Sequence, residues 1–106
     1  MKIFKLNQMI KGWFVGDFEP NCLRLDTCEV ACKYYNAGDE ESRHVHKVAV
    51  EITLVAKGKI IMNGQSYREG DIILLEPGEP ADFKVVEDAI TMVVKSPSVP
   101  NDKYLV

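Results

Sequence analysis

His44, His46 and Glu51 place two imidazoles and a carboxylate within eight residues, framed by Gly38 and Gly58. Imidazole and carboxylate ligands suit Fe, Mn, Ni, Zn or Co, and two histidines with one carboxylate match the ligand set of iron oxygenases with open coordination positions. On a strand, a His-x-His pair projects both rings from one face. Glu51 lies five residues beyond His46, an odd offset that would face it the other way on an unbroken strand. A turn or bulge through Lys47-Val48-Ala49-Val50 restores convergence, with Glu51 opening the next strand. Histidine ligates only when neutral, so affinity is expected to fall as pH drops below imidazole titration. The plainer alternative is that both rings are exposed or satisfy local hydrogen bonds. Against it, the chain's two histidines both fall in this one His-x-His, with an acid close by.

Other chemistry-bearing residues are less pointed. Cys22, Cys28 and Cys32 are an odd set without disulfide-framework spacing. Cys28 and Cys32 share a strand face with Val30 and Tyr34 and read as small apolar fillers rather than a redox pair. By the same phase Tyr34 is expected to face inward, packing there or placing its hydroxyl near the histidines. Glu76, Glu79 and Asp82, and separately Asp39-Glu40-Glu41, read as solvated turns.

The elements that must position these groups are almost all strands. Val, Ile, Thr, Tyr and Phe cluster in short runs between Gly, Asn, Asp and Pro. Strands are expected near Lys2 to Leu6, Trp13 to Phe18, Cys28 to Tyr35, His44 to His46, and Glu51 to Ala56. Further strands are expected near Lys59 to Met62, Gln65 to Arg68, Asp71 to Leu75, Asp82 to Val86 and Ile90 to Lys95. Asn63-Gly64 is a two-residue hairpin signal because both residues tolerate positive φ. No helical period stands out, and Phe4 to Trp13 has room for one turn at most. Many short strands in a short chain predict a sandwich or barrel. The tail from Ser96 to Val106, with Pro97 and Pro100, is expected to cover an edge or reach a neighbouring subunit.

The 106 residues predict one domain with a modest core. A formal net charge of -3 argues against general nucleic-acid binding. No run approaches the roughly 18–20 apolar residues of a membrane span, and the first residues lack a signal-peptide pattern, so a cytoplasmic protein is expected.

The arrangement Gly-x5-His-x-His-x4-Glu-x6-Gly from Gly38 to Gly58 resembles the first cupin motif. The second cupin motif is partly present: Gly70-Asp71, the apolar run Ile72 to Leu75 and Pro77-Gly78 resemble its first half. Ala81 stands where that family has its fourth ligand histidine, and Val85 where it has an asparagine. The resemblance implies an all-β cupin jelly-roll barrel, or double-stranded β-helix, with a core over about residues 28–95 and a tail over 96–106. It implies a divalent metal inside the barrel on His44, His46 and Glu51, with Asp82 a weaker candidate for the fourth position. Alternation points Ala81 and Phe83 inward, where with Tyr34 they would border a small-molecule ligand, and Asp82 outward unless a bulge intervenes. The implied functions are a metal-dependent isomerase or oxygenase acting on a small polar metabolite, or a metal-free sugar-nucleotide epimerase or ketoisomerase using histidine as general base. A non-enzymatic metabolite-binding module is the third. The resemblance also implies a homodimer, with Lys2 to Leu6 the pairing segment.

Overall fold

The computed structural model describes residues 1–106 and is built almost wholly from antiparallel strands. The strands are β1 (Trp13–Val15), β2 (Glu29–Tyr35), β3 (Glu40–Val45), β4 (Val50–Met62), β5 (Gln65–Arg68), β6 (Ile72–Leu75), β7 (Ala81–Ser96) and β8 (Tyr104–Leu105). The only helical element is a 3-10 turn at Leu6–Gln8. Lys2 to Leu6 is therefore not a strand: no neighbour supplies ladder partners, and Ile3 stays 75 % exposed.

Two long strands organise the barrel. β7 pairs with β2 and β4 along its second half, and with β3 along its first, where β4 also reaches it at Ile60 and Ile61. β4 in turn pairs with β5 through the Asn63-Gly64 hairpin and with β6 through Glu51↔Leu75 to Leu54↔Ile72. Four expected strands are thus two: Glu51 to Ala56 fuses with Lys59 to Met62, and Asp82 to Val86 with Ile90 to Lys95. The fusion of β4 is not regular. Its buried positions are odd-numbered at Thr53 and Val55 but even-numbered at Ile60 and Met62, and its register with β7 shifts between Val55 and Ile60. Such a bulge re-aims side chains while the strand continues. Gly58 makes it feasible: its φ is +88°, and a Cβ there would lie 2.2 Å from the Asp88 carbonyl oxygen.

Burial follows the pleat. On β7 Ala81, Phe83, Val85, Ala89, Thr91 and Val93 point inward. Val55, Ile60, Met62, Leu75, Ala81, Phe83, Val85 and Ala89 form one apolar cluster, with Tyr35, Tyr67 and Ile73 packed against it. Near 25 cal/mol per Å² of apolar surface removed from water, this cluster is the main stabilising element. The tail does cover an edge. β8 pairs with β3 at His44↔Leu105 and Val45↔Tyr104, so the chain returns beside the histidine strand.

Candidate metal centre

His44, the second-last residue of β3, lies directly across from Ala81 of β7. The turn that follows carries His46, and β4 brings Glu51 back to the same place. One ligand atom from each of the three lies within 4.8 Å of the others. His44 and His46 are buried, and their rings meet edge to face with centroids 5.3 Å apart.

Backbone carbonyls fix how each ring presents its nitrogens. His44 Nδ1 is 2.8 Å from the Ser42 carbonyl oxygen, and His46 Nδ1 meets the Asp102 carbonyl oxygen. A carbonyl only accepts, so in the neutral form of each ring Nδ1 carries the hydrogen and Nε2 keeps a lone pair; such outer partners orient ligand imidazoles. His46 Nε2 then lies 2.8 Å from Glu51 Oε2. That approach is a charge contact rather than an aligned hydrogen bond: Glu51 Oε2 is buried without any hydrogen-bond partner. A neutral His46 thus turns a lone pair toward a carboxylate, an arrangement relieved by a proton on Nε2 or by a cation. The Glu51 carboxylate foremost, helped by the Asp102 carbonyl, holds His46 above the usual imidazole value against the opposing pull of burial. Burial pushes Glu51 upward, but His46 and the charges of Lys95 and His44 outweigh it and keep the carboxyl below its usual range. Two Nε2 lone pairs and an orphaned carboxylate oxygen fit a divalent ion in donor chemistry.

The turn between His46 and Glu51 is tied from the tail. Asp102 Oδ1 accepts the Lys47 amide at 2.9 Å, Oδ2 accepts the Ala49 amide at 2.9 Å, and the Val48 amide lies 3.1 Å from Oδ2. Burial alone would raise the Asp102 carboxyl, but these three amides bring it below its ordinary value. On the other side the Gly78 amide donates to the His46 carbonyl at 2.7 Å, hooking the Pro77-Gly78 turn to the site.

Beside the three groups lies a cavity of about 220 Å³. Ala81 and Phe83 line it, as do Met62 and Leu75 from the apolar cluster. Asp82 borders it too, but its carboxylate accepts the Asn63 amide at 2.9 Å and stands outside the three-residue ligand group. Asp82, the weaker candidate for a fourth ligand, is thus not brought into the group: burial alternates at Ala81-Asp82-Phe83, and the register irregularity beside it lies on β3, between Glu41 and His44. Tyr34 is corrected. The inward residues of β2 are Ala31, Lys33 and Tyr35, and Tyr34 is 70 % exposed on the opposite face. Cys32 shares that outer face; burial raises its thiol pKa, and all three cysteines are free.

Several site residues escaped the sequence reading. Tyr35 lines the cavity one position from Tyr34, and burial, with the charges of Glu41, Glu51 and Asp39, drives its hydroxyl far above the usual phenol value, so it stays protonated. The signal was strand phase, misjudged by one residue. Lys33, Thr91 and Lys95 also line the cavity, although nothing in their local sequence sets them apart. Asp102 carried no sequence signal at all, since its partners lie more than fifty residues earlier.

Neither a protein-family model nor a curated protein sequence matches this chain. Solved structures do. A protein with a double-stranded β-helix domain from Klebsiella pneumoniae superposes with a TM-score of 0.72 over 99 % of this chain and 91 % of its own, at 20 % identity. An RmlC-like cupin from Shewanella frigidimarina gives 0.65 over 73 % of this chain and 71 % of its own, at 18 % identity. The chain has the cupin fold. Oxalate decarboxylase from Bacillus subtilis, a protein with Mn(II) centres, also superposes on the cupin barrel, with a TM-score of 0.63 at 18 % identity. That match covers 76 % of this chain but only 24 % of the decarboxylase. At such identities the likeness establishes architecture, and the chemistry of this cupin barrel has to be argued from its own residues.

Proposed function

We propose that the protein binds a divalent metal through His44, His46 and Glu51 and holds a small polar metabolite beside it, acting as a metal-dependent isomerase or oxygenase. The observation that carries this reading is the buried Glu51 Oε2, which has no hydrogen-bond partner yet lies against a histidine nitrogen whose ring is tethered through its other nitrogen. A bound ion would supply Lewis acidity toward a carbonyl or carboxylate, or activate O₂. Ala81, at the position of a fourth ligand in the cupin motif, leaves room beside the triad for a ligand. The test is elemental analysis of protein purified without chelator, then reconstitution with Fe, Mn, Ni, Zn or Co. One ion per chain is expected. Metal that stays far below one per chain after reconstitution defeats the reading.

A second reading follows from the same 2.8 Å contact. Glu51 and His46 form a carboxylate–imidazole pair, and His46 could serve without metal as the general base of an epimerase or ketoisomerase. The protonated Tyr35 hydroxyl, rather than Tyr34, is then the available acid. Activity that survives EDTA favours this reading. Loss on chelation, restored by one metal, excludes it. Metabolite binding without turnover would leave a simple binding module.

We further infer one functional domain over residues 1–106, a cytoplasmic setting and a homodimer. Three free cysteines support the second. The exposed Ile3, Phe4 and Ile10 of the N-terminal segment support the third. A monomeric mass by light scattering at micromolar concentration would remove the dimer.

A further inference from the structure

The chain is acidic overall, yet the cavity beside His44, His46 and Glu51 is bordered by four lysines: Lys11, Lys33, Lys95 and Lys103. Three acids border it as well, and two of them are engaged elsewhere. Glu51 belongs to the ligand group, and Asp82 binds the Asn63 amide. Glu29 pairs with Lys95 from the neighbouring strand, which leaves Glu41 to face Lys11, Lys33 and Lys103.

Two of the lysines are built into the barrel wall. Lys95 is the direct cross-strand partner of Glu51, and Lys33 that of Thr91, so each side chain shares the inward face with its partner. Their ammonium groups lie 4.8 and 5.0 Å from the centroid of the same Trp13 ring, which supports both stems. Lys95 stands between the carboxylates of Glu29 and Glu51 on its two neighbouring strands, whereas Lys33 has no ion-pair partner. Lys95 Nζ is 3.9 Å from Glu29 Oε1, and Lys33 Nζ donates to the Lys11 carbonyl at 3.2 Å. Burial, and then the charges of Lys95, Lys103 and Lys11, hold Lys33 below the usual amine value despite Glu41. An independent observation comes from Thr91. The residue lines the same cavity and is 1 % exposed, and its Oγ1 is buried with no hydrogen-bond partner. A buried hydroxyl without a partner is destabilising, so a ligand atom that meets it recovers that deficit.

We propose that the metabolite is a small oxyanion, a carboxylate or phosphate compound, whose acidic group is held by Lys33, Lys95 and the Thr91 hydroxyl while its remainder faces His44, His46 and Glu51. The cavity of about 220 Å³ suits a small compound. The apolar floor of Met62, Leu75 and Phe83 accepts a short carbon skeleton. The ammonium groups attract the anion over a distance and fix its orientation, and an ion on the triad strengthens the same field.

The assignment rests on the metal reading above, and its own failure is distinguishable because metal content and anion binding are measured independently. Wild-type protein is loaded with metal, its metal content is measured, and it is then titrated calorimetrically with succinate, inorganic phosphate and neutral succinamide. Succinate or phosphate is expected to bind, more weakly as NaCl rises from about 50 to 500 mM, and succinamide is not. Comparison of the two anions tells a carboxylate site from a phosphate site. K33M and T91V are expected to retain metal and to weaken the anion by about tenfold or more, the scale of one lost charged or buried hydrogen bond. Amide NMR shifts on titrating the wild-type protein should localise to Lys33, Thr91 and Lys95, which keeps the test decisive if a variant fails to fold. Metal-loaded protein that binds neither anion, binds succinamide equally well, or shifts elsewhere overturns the oxyanion assignment and leaves the metal reading standing. Protein that takes up no metal overturns the metal reading and this assignment together.

Discussion

At the residue scale the site is a problem of protons. With Nδ1 of His46 tied to the Asp102 carbonyl, only Nε2 is free to exchange a proton for a metal, and the Glu51 charge beside it favours the protonated ring. Metal uptake should therefore begin to fail on acidification above the ordinary imidazole value of ~6.5. E51Q should lower the His46 pKa, seen by NMR titration of the ring, and weaken metal binding by about 100-fold, read by competition with a chromophoric chelator. The signs for the metal-free protein follow from linkage. His46, raised in the fold, stabilises fully below its unfolded pKa, and that contribution is lost as pH rises through the folded value. Glu51 and Asp102, both lowered, stabilise above their unfolded values and lose that contribution as pH falls through the folded ones. Urea midpoints of metal-free protein should thus fall on the acid side through Glu51 and Asp102, and on the alkaline side as His46 deprotonates. The ligand trio was legible because three chemically distinctive residues sit close together in sequence. The proton-holding partners were not, because backbone carbonyls at Ser42 and Asp102 leave no residue-type signature.

At the element scale the two long strands and the tail carry the argument. Short runs of β-formers revealed where extended chain lies, but β4 and β7 read as four strands because Gly58 and the Glu87-Asp88 acids interrupt the apolar pattern without interrupting the ladder. Gly58→Ala should destabilise by more than about 1 kcal/mol, since it forces an L-residue to φ +88° and drives Cβ against the Asp88 carbonyl. Equilibrium urea unfolding measures it; a loss within a few tenths of a kcal/mol would mean that the bulge is soft. The tail contributes through one carboxylate. D102N keeps the size of the side chain but presents an amide to three backbone donors, and should cost about 2 kcal/mol at pH 7 with much of the acid-side loss removed. It should also reduce metal affinity by about tenfold, because the turn it fixes sets the path from His46 to Glu51. Tail residues read as an edge cover, and β8 is one, but clamping a turn across the barrel depends on tertiary proximity that local sequence does not encode.

At the scale of the whole molecule, barrel closure makes a site from residues on β2, β3, β4 and β7. The all-β architecture was readable from composition, turn residues and the motif at Gly38 to Gly58. The charge of the cavity was not, because a net charge of -3 says nothing about where thirteen basic residues gather once the sheet folds. A ligand that binds only the folded barrel stabilises it, by about 2.7 kcal/mol at a free concentration 100 times Kd. For a chain of this size, that corresponds to a rise in Tm of about 10 °C or more. Differential scanning fluorimetry with and without the bound ion should show the rise, EDTA should reverse it, and E51Q should abolish most of it.

The hydrogen bond from His46 to Asp102 spans 56 positions of sequence. During synthesis both histidines and the glutamate leave the ribosomal exit tunnel well before the residue that orients one ring and staples the intervening turn. The centre is therefore finished late, and any ion that reaches the nascent strands meets ligands that are not yet aimed.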